Sequence, residues 1–574
     1  MRGNAKILAV VAAVAVAVVG VVFFTNRADD NNGSGNGQPT ATGSENPKPL
    51  EPGAYLDAAC DIPARWARLI SRGWAPGTTR DFDISIVPEP PNYMGTFLNT
   101  SHSGPYDFLQ EVPLVFYGPG FIKPLGHYQP DGEVTIADIA PTSAELMGLE
   151  FDRPQSRSLT EMLEETEQRP KLIVTAVIDG GGWNVLEQHP VAWPNLARFI
   201  EEGANPDGAI TGSSPSITPA IHTNIGTGTF PRQHGVTAIA VRQDNGKMVG
   251  AFTPVDNEEG VGIVDPTINL RQKTVADLWD KAAGNEAEIA LVAPGNYQLG
   301  MIGHGRALPG ADADIVTSLA KASGEWKTNP KFYFAPGYVN TQIEGPEEDL
   351  RAADSADGAT DEQWRGRKFP SNIVATPALA PWENRIIQAL IEREGFGDDG
   401  ITDLFQINYK APDSLGHIYN MISDEEGDVL RSVDDALGEL VDFLDTEVGE
   451  DDYVLIVTAD HGQTPLGIGG WPISRSEIKD DVDRNFGLND EDLSLIEQTS
   501  ASSFFMRRDE LKEHNVTPED VADYLTGYTI GDNIAEGSEV PQGYENRIDE
   551  RIFSAVIPGR KIDKVSDCTG AFAQ

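Results

Sequence analysis

An α/β fold built on a doubly wound, mostly parallel sheet is what the sequence predicts, on three observations. Four apolar, β-branched runs, "KLIVTAVID", "DLFQINYKAPD", "DYVLIVTADHG" and "VPLVFYGPG", have the continuous hydrophobic character of central strands buried on both faces. Helical patterns such as "PNLARFIEEG", "TVADLWDKAA" and "VDDALGELVDFLD" supply the crossovers. Three of the runs lead into acids, Asp179, Asp413 and Asp460, and doubly wound sheets bind ligands beyond the carboxyl ends of their strands. With 574 residues, 40% of them hydrophobic, the chain can bury one large core or two ordinary ones.

Taken in order, Arg2 and Lys6 introduce an uncharged, mostly apolar run at 7–24 that reaches membrane-spanning length. Basic residues before it and "RADDNNGSGNG" after it predict a transmembrane signal-anchor at 1–24, with the bulk of the chain outside the cytoplasm. A cleaved signal peptide is the competing reading. Residues 25–52, rich in Asn, Gly, Ser, Thr and Pro, read as a flexible linker. The formal charge of -46 would repel phosphate backbones, so no nucleic-acid duplex binding is expected. Cys60 and Cys568 permit a single pairing in an oxidising compartment; two unrelated buried thiols are the alternative.

The chemistry of the strand ends points to metal. "PDSLGH" sets Asp413 four residues before His417, and "TADHG" sets Asp460 beside His461, so carboxylate oxygen and imidazole nitrogen come in pairs, as zinc prefers. Taken singly, each acid also reads as a helix cap or loop residue. Two divalent ions a few ångströms apart clamp both the attacking and the departing oxygen of a phosphoryl transfer. A nucleophile is available in "SSPSITPAIHTNIGTGTFPRQHGV", where Pro219 suits a first helical position and makes Thr218 the N-cap. Ser213, Ser214 and Ser216 offer the same chemistry, and spacing does not choose among them.

Together these residues resemble the alkaline phosphatase superfamily, most closely its type I phosphodiesterase/nucleotide pyrophosphatase branch. "GTGTFPRQHG", "PDSLGH" and "TADHG" carry the resemblance, over roughly residues 171 to 465. It implies an alkaline phosphatase-like fold with Thr218 as nucleophile, one zinc on Asp179, Thr218, Asp460 and His461, and a second on Asp413 and His417. The family's remaining ligand is a histidine in a later loop, yet after His461 this chain has only His514, inside "RRDELKEHNVTPED". The matching loop comes early, in "SHSGPYDFLQEVPLVFYGPG", with His102 at the ligand position and Ser103 where the family has Gly. The resemblance therefore implies a circular permutation, in which 53–150 completes a catalytic domain whose main body is 171–574, joined through 151–170. Cys60 and Cys568 would then meet where the family's chain is continuous. A separate domain at 55–150, with His102 an ordinary loop histidine, is the competing reading.

The activity so implied is extracytoplasmic, zinc-dependent hydrolysis of small phosphoric esters, phosphodiesters or pyrophosphates ahead of monoesters. Related monoesterases carry a Lys-x-Arg pair at the place where this chain reads "GHGRALPG", which makes His304 and Arg306 candidates to bind phosphate oxygens. Lys410 is a third. Diesterases of the family place an Asn shortly after "HG", and here Asn245 lies farther on. A sulfatase is disfavoured, because no Cys or Ser stands in a C/S-x-P-x-R setting. A phosphomonoesterase and a non-catalytic, envelope-associated binding protein are the alternatives.

Overall fold

A computed structural model describes residues 51–572 except 78–80, 97–99, 101, 244–245, 253–268, 321–323, 468 and 489–492. The apolar run at 7–24, the linker up to residue 50 and Asn245 lie outside the described residues. Among the described residues, no helix is long and apolar enough to cross a membrane.

Strand Leu172–Ile178 is buried at every position. Val174, Ala176 and Ile178 pack into one core, and Ile173 and Val177 into another on the opposite face. With both faces covered, a strand needs no polar alternation, which is why the run reads as continuously apolar. Helices Leu379–Glu394 and Asp424–Leu444 supply much of the first core, and Thr218–Thr227 and Val275–Ala283 contribute to the second.

The sheet has nine strands, in the order Glu325–Lys327, Ile315–Ala320, Ile289–Ala293, Asp403–Tyr409, Leu172–Ile178, Tyr453–Thr458, Leu114–Tyr117, Ala204–Pro206, Gly126–Tyr128. The five from Ile315–Ala320 to Tyr453–Thr458 are parallel. The run "VPLVFYGPG" departs from expectation: its strand, Leu114–Tyr117, is antiparallel to Tyr453–Thr458. Burial on both faces hides strand direction from the sequence. The reversal puts the start of this strand, Leu114, opposite Thr458, so the chain preceding it arrives at the carboxyl rim of the parallel strands.

A second sheet runs Ile496–Thr499, Ser503–Met506, Ile84–Pro88, Phe553–Pro558. Strand Ile84–Pro88 is antiparallel to both neighbours, so the stretch from 53 to 150 gives strands to both sheets. Cys60, ending helix Ala54–Cys60, is disulfide-bonded to Cys568 in helix Ile562–Thr569, across 508 residues of sequence.

Helix Thr218–Thr227 lies very close to the 3-10 turn Tyr297–Met301. A Cβ added to Gly226 would stand 2.1 Å from the Gly300 carbonyl oxygen, and one added to Gly300 would stand 2.0 Å from Thr223 Oγ1. Two glycines thus set how deeply the helix sits. Gly226→Ala is expected to lower the unfolding free energy by about 1–3 kcal/mol, because backbone must move to admit the methyl group. Gly337→Ala, with nothing within 4 Å of its added Cβ, should change it by less than about 0.5 kcal/mol. Denaturant titration of both variants checks the pair.

Candidate metal centre and active site

Three adjacent parallel strands deliver the acids. Asp179 follows Leu172–Ile178, Asp460 and His461 follow Tyr453–Thr458, and Asp413 lies in the first turn of helix Ala411–Tyr419, just past Asp403–Tyr409. Each main chain is fixed by sheet hydrogen bonds up to the rim, where the polar side chains begin. The loop before the reversed strand brings His102 to the same place. His102 Nε2 stands 3.2 Å from Asp413 Oδ1, and His417 Nε2 stands 3.3 Å from that same oxygen. His461 Nε2 lies 3.4 Å from Asp460 and 3.8 Å from both Asp179 and Asp413. All six predicted Asp and His ligands therefore converge: five form two groups that share His461, His102 with Asp413 and Asp179 with Asp460, and His417 joins through Asp413.

The histidine tautomers say what the cluster is built to hold. Nδ1 of His102, His417 and His461 faces the carbonyl oxygen of Ser216, Thr100 and Gly462 at 3.1, 3.0 and 3.0 Å. A carbonyl only accepts, so each Nδ1 carries a proton, and Nε2 presents a lone pair wherever the ring is neutral. His417 differs from the other two, because Asp413 raises its pKa and favours the charged ring. Burial and the neighbouring His461 push His102 down to about 4, and burial lowers His461, so both rings are neutral. Their lone pairs face carboxylate oxygens. Asp413 Oδ1, Asp460 Oδ2 and His461 Nε2 are buried without a hydrogen-bond partner, an expensive arrangement unless a cation sits among them. Mixed nitrogen and oxygen donors, with imidazoles oriented through Nδ1, fit divalent metal ions.

Lys410 is only 9% exposed, and its Nζ lies 2.7 Å from both Asp179 Oδ1 and Asp413 Oδ2. It also donates to Thr218 Oγ1 at 3.1 Å. Burial disfavours its charge, but Asp179 and Asp413 outweigh that and hold the ammonium above its ordinary pKa. Burial likewise opposes ionisation of Asp413, yet Lys410 and His417 keep that carboxyl well below the usual range. Asp460 goes the other way, pushed up to about 7 by burial and by Asp179. Thr218 is not the expected N-cap. It is the first helical residue after Ile217, and its hydroxyl makes no capping bond but accepts from Lys410.

Other predicted residues fall elsewhere. Ser213 Oγ accepts from Asn224, Ser216 holds His102 through its carbonyl, and among the candidate hydroxyls only Thr218 bonds to Lys410. His304 is buried, with Nδ1 2.8 Å from Asp277 and Nε2 3.3 Å from the Leu270 carbonyl, while Arg306 is exposed. Neither makes a hydrogen bond or ion pair to the cluster among the described residues.

Two residues outside the predicted set support the site. Asn408 donates to Asp179 Oδ2 at 3.0 Å and to His222 Nε2 at 2.9 Å, and His222 Nδ1 donates to the Thr218 carbonyl at 2.8 Å. This chain of bonds orients Asp179 and steadies the helix start. Its signals were an Asn inside the apolar run "DLFQINY" and a His one helical turn beyond Thr218.

A family model described as type I phosphodiesterase / nucleotide pyrophosphatase matches residues 173–543. Alkaline phosphatase PhoV of Synechococcus elongatus is 24% identical over 54% of this chain, which spans 62% of that relative's length. Alkaline phosphatase PafA of Elizabethkingia meningoseptica is 23% identical over 68% of this chain and 79% of its own. A crystal structure of wild-type alkaline phosphatase PafA shares the fold, with a TM-score of 0.51 and 18% identity over 69% of this chain and 85% of that one.

If the cluster holds metal through His102, then His102→Ala should weaken binding of one zinc ion by at least about 100-fold, more than loss of a supporting contact costs. His514→Ala, exposed and at the end of helix Arg508–Glu513, should bind as the parent does. Competition with a zinc-chelating dye measures both.

Proposed function

This chain belongs to the type I phosphodiesterase/nucleotide pyrophosphatase family, and we propose that it is an extracytoplasmic hydrolase of small phosphoric esters that uses Thr218 as nucleophile and two zinc ions. The observation that carries the reading is the Thr218 hydroxyl, bonded to a buried ammonium that also binds an acid from each ligand group. Asp179, Thr218, Asp460 and His461 would hold one ion, and Asp413, His417 and His102 the other. Bound there, the ions would supply positive charge opposite the attacking and departing oxygens.

The residues of the chain perform the rest. Thr218 Oγ1 gives up its proton to solvent and forms a bond to phosphorus while the ester P–O bond breaks, and the leaving group departs with the bonding electrons and takes a proton from water. Water then cleaves the threonyl phosphate. Lys410 stays protonated, so it serves as a fixed charge that favours the ionised Thr218 hydroxyl and cannot act as its base. The Asn408 and His222 bonds keep Asp179 and the helix start in register with that hydroxyl.

Phosphodiesters or pyrophosphates are the preferred substrates on family membership. Monoester hydrolysis is the second reading, favoured by the alkaline phosphatases among the relatives. The location outside the cytoplasm is supported by the disulfide and by the apolar run at 7–24. We also read the chain as circularly permuted, with 53–150 completing the domain. In support, the family match starts at residue 173 while His102 reaches the cluster from far upstream.

The test compares hydrolysis of bis-nitrophenyl phosphate and nitrophenyl phosphate by the zinc-loaded chain. Thr218→Ala is expected to lower kcat on the better substrate by at least about a thousandfold. Full activity in that variant would eliminate the threonine nucleophile, and faster monoester cleavage by the parent would select the second reading. A zinc-loaded chain inert to both would favour a binding protein.

A further inference from the structure

A second group of carboxylates stands at the opposite rim of the sheet. Asp280 belongs to helix Val275–Ala283, and Asp312 and Asp314 to the loop that enters strand Ile315–Ala320. One oxygen from each lies within 4.8 Å of the other two. Asp314 precedes the amino end of a parallel strand, whereas Asp179 and Asp460 follow carboxyl ends, so this group is separate from the cluster around Thr218.

Among the described residues, no cation is paired with these carboxylates. Asp280 is 5% exposed, and its Oδ1 is fully buried with no hydrogen-bond partner. No side-chain hydrogen bond or ion pair reaches Asp312 or Asp314 among the described residues. Burial, then Asp312, Asp277 and Glu288, push Asp280 up to about 6, and burial with Asp277, Asp280, Asp312 and Glu288 also holds Asp314 well above the usual carboxylate range. The backbone beneath is nonetheless well held. Asn285 donates from its backbone to the Asp280 carbonyl at 2.9 Å and from its side chain to the Gly310 carbonyl at 2.8 Å, and the Asp314 carbonyl accepts from Phe334 N at 2.9 Å. A fixed loop that aims three carboxylates at one point, with no donor to meet them, is shaped for a cation.

We propose that Asp280, Asp312 and Asp314 bind a hard divalent cation of the calcium class, which ties the end of helix Val275–Ala283 to the start of strand Ile315–Ala320. The donors are all oxygen, the set calcium takes, and there is no imidazole or thiolate to favour zinc. Main-chain carbonyls and water complete such a shell. The ion is structural, because the Thr218 cluster lies at the other end of the strands.

Calorimetry on the full, zinc-saturated chain tests this with calcium chloride as the probe, in roughly 0.3 M NaCl so that the acidic surface is screened. One calcium per chain is expected, and a rise in Tm of about 3 °C near one hundred times Kd. Asp312→Asn removes a charge from an exposed position, where folding is undisturbed, and should weaken binding at least about tenfold and abolish the Tm rise. Asp314→Asn should do the same. Absence of calcium binding in the parent, or undiminished binding in both variants, overturns the proposal. Stabilisation of Asp280→Asn without calcium, in a parent that ignores calcium, would show that a shared proton occupies the group instead.

Discussion

The rim of the large sheet is governed by one constraint: buried negative charge must be compensated. Asp179, Asp413 and Asp460 reach one site from three neighbouring strands, and neutral imidazoles turn lone pairs toward them. Lys410 supplies one positive charge at the junction of the two ligand groups. Much of the remaining architecture serves to hold these groups where repulsion would otherwise drive them apart. Sheet hydrogen bonds run up to the acids, carbonyls pin the imidazole Nδ1 atoms, and the glycine contact fixes the depth of the Thr218 helix.

What the sequence disclosed follows from this. Strands buried on both faces leave unbroken apolar runs, and polar side chains placed where those runs stop leave acids at their ends, so both the parallel core and the acids that converge at its rim were legible. Strand direction was not, because "LVFY" is buried on both faces whichever way it runs. The contrast between Lys410 and His304 is also instructive. Both were plausible phosphate contacts by position, but the environment decides: two acids draw Lys410 inward, and Asp277 captures His304. Supporting residues such as Asn408 left the faintest trace, since one polar residue in a strand has many explanations until its partners are in place.

His102 joins two aspects of the fold. Its place beside Asp413 requires a segment remote in sequence to enter at the carboxyl rim, and a strand running against its neighbours is the simplest way to arrive there. The same stretch donates Ile84–Pro88 to the interior of the second sheet, between two strands from the far end of the chain. Removing it would therefore strip a histidine from the cluster and split a sheet at once.

The Cys60–Cys568 bond adds a mechanical consequence. Since it spans 508 residues, nearly the whole folded body is a closed covalent loop whose two ends meet with Cα atoms 5.5 Å apart. Tension that enters the chain at residue 60 and leaves it at residue 568 passes directly through the sulfur bridge, so neither sheet carries the load. A pull on the tails would strain one covalent link while the Asp and His cluster, well inside the loop, kept its geometry.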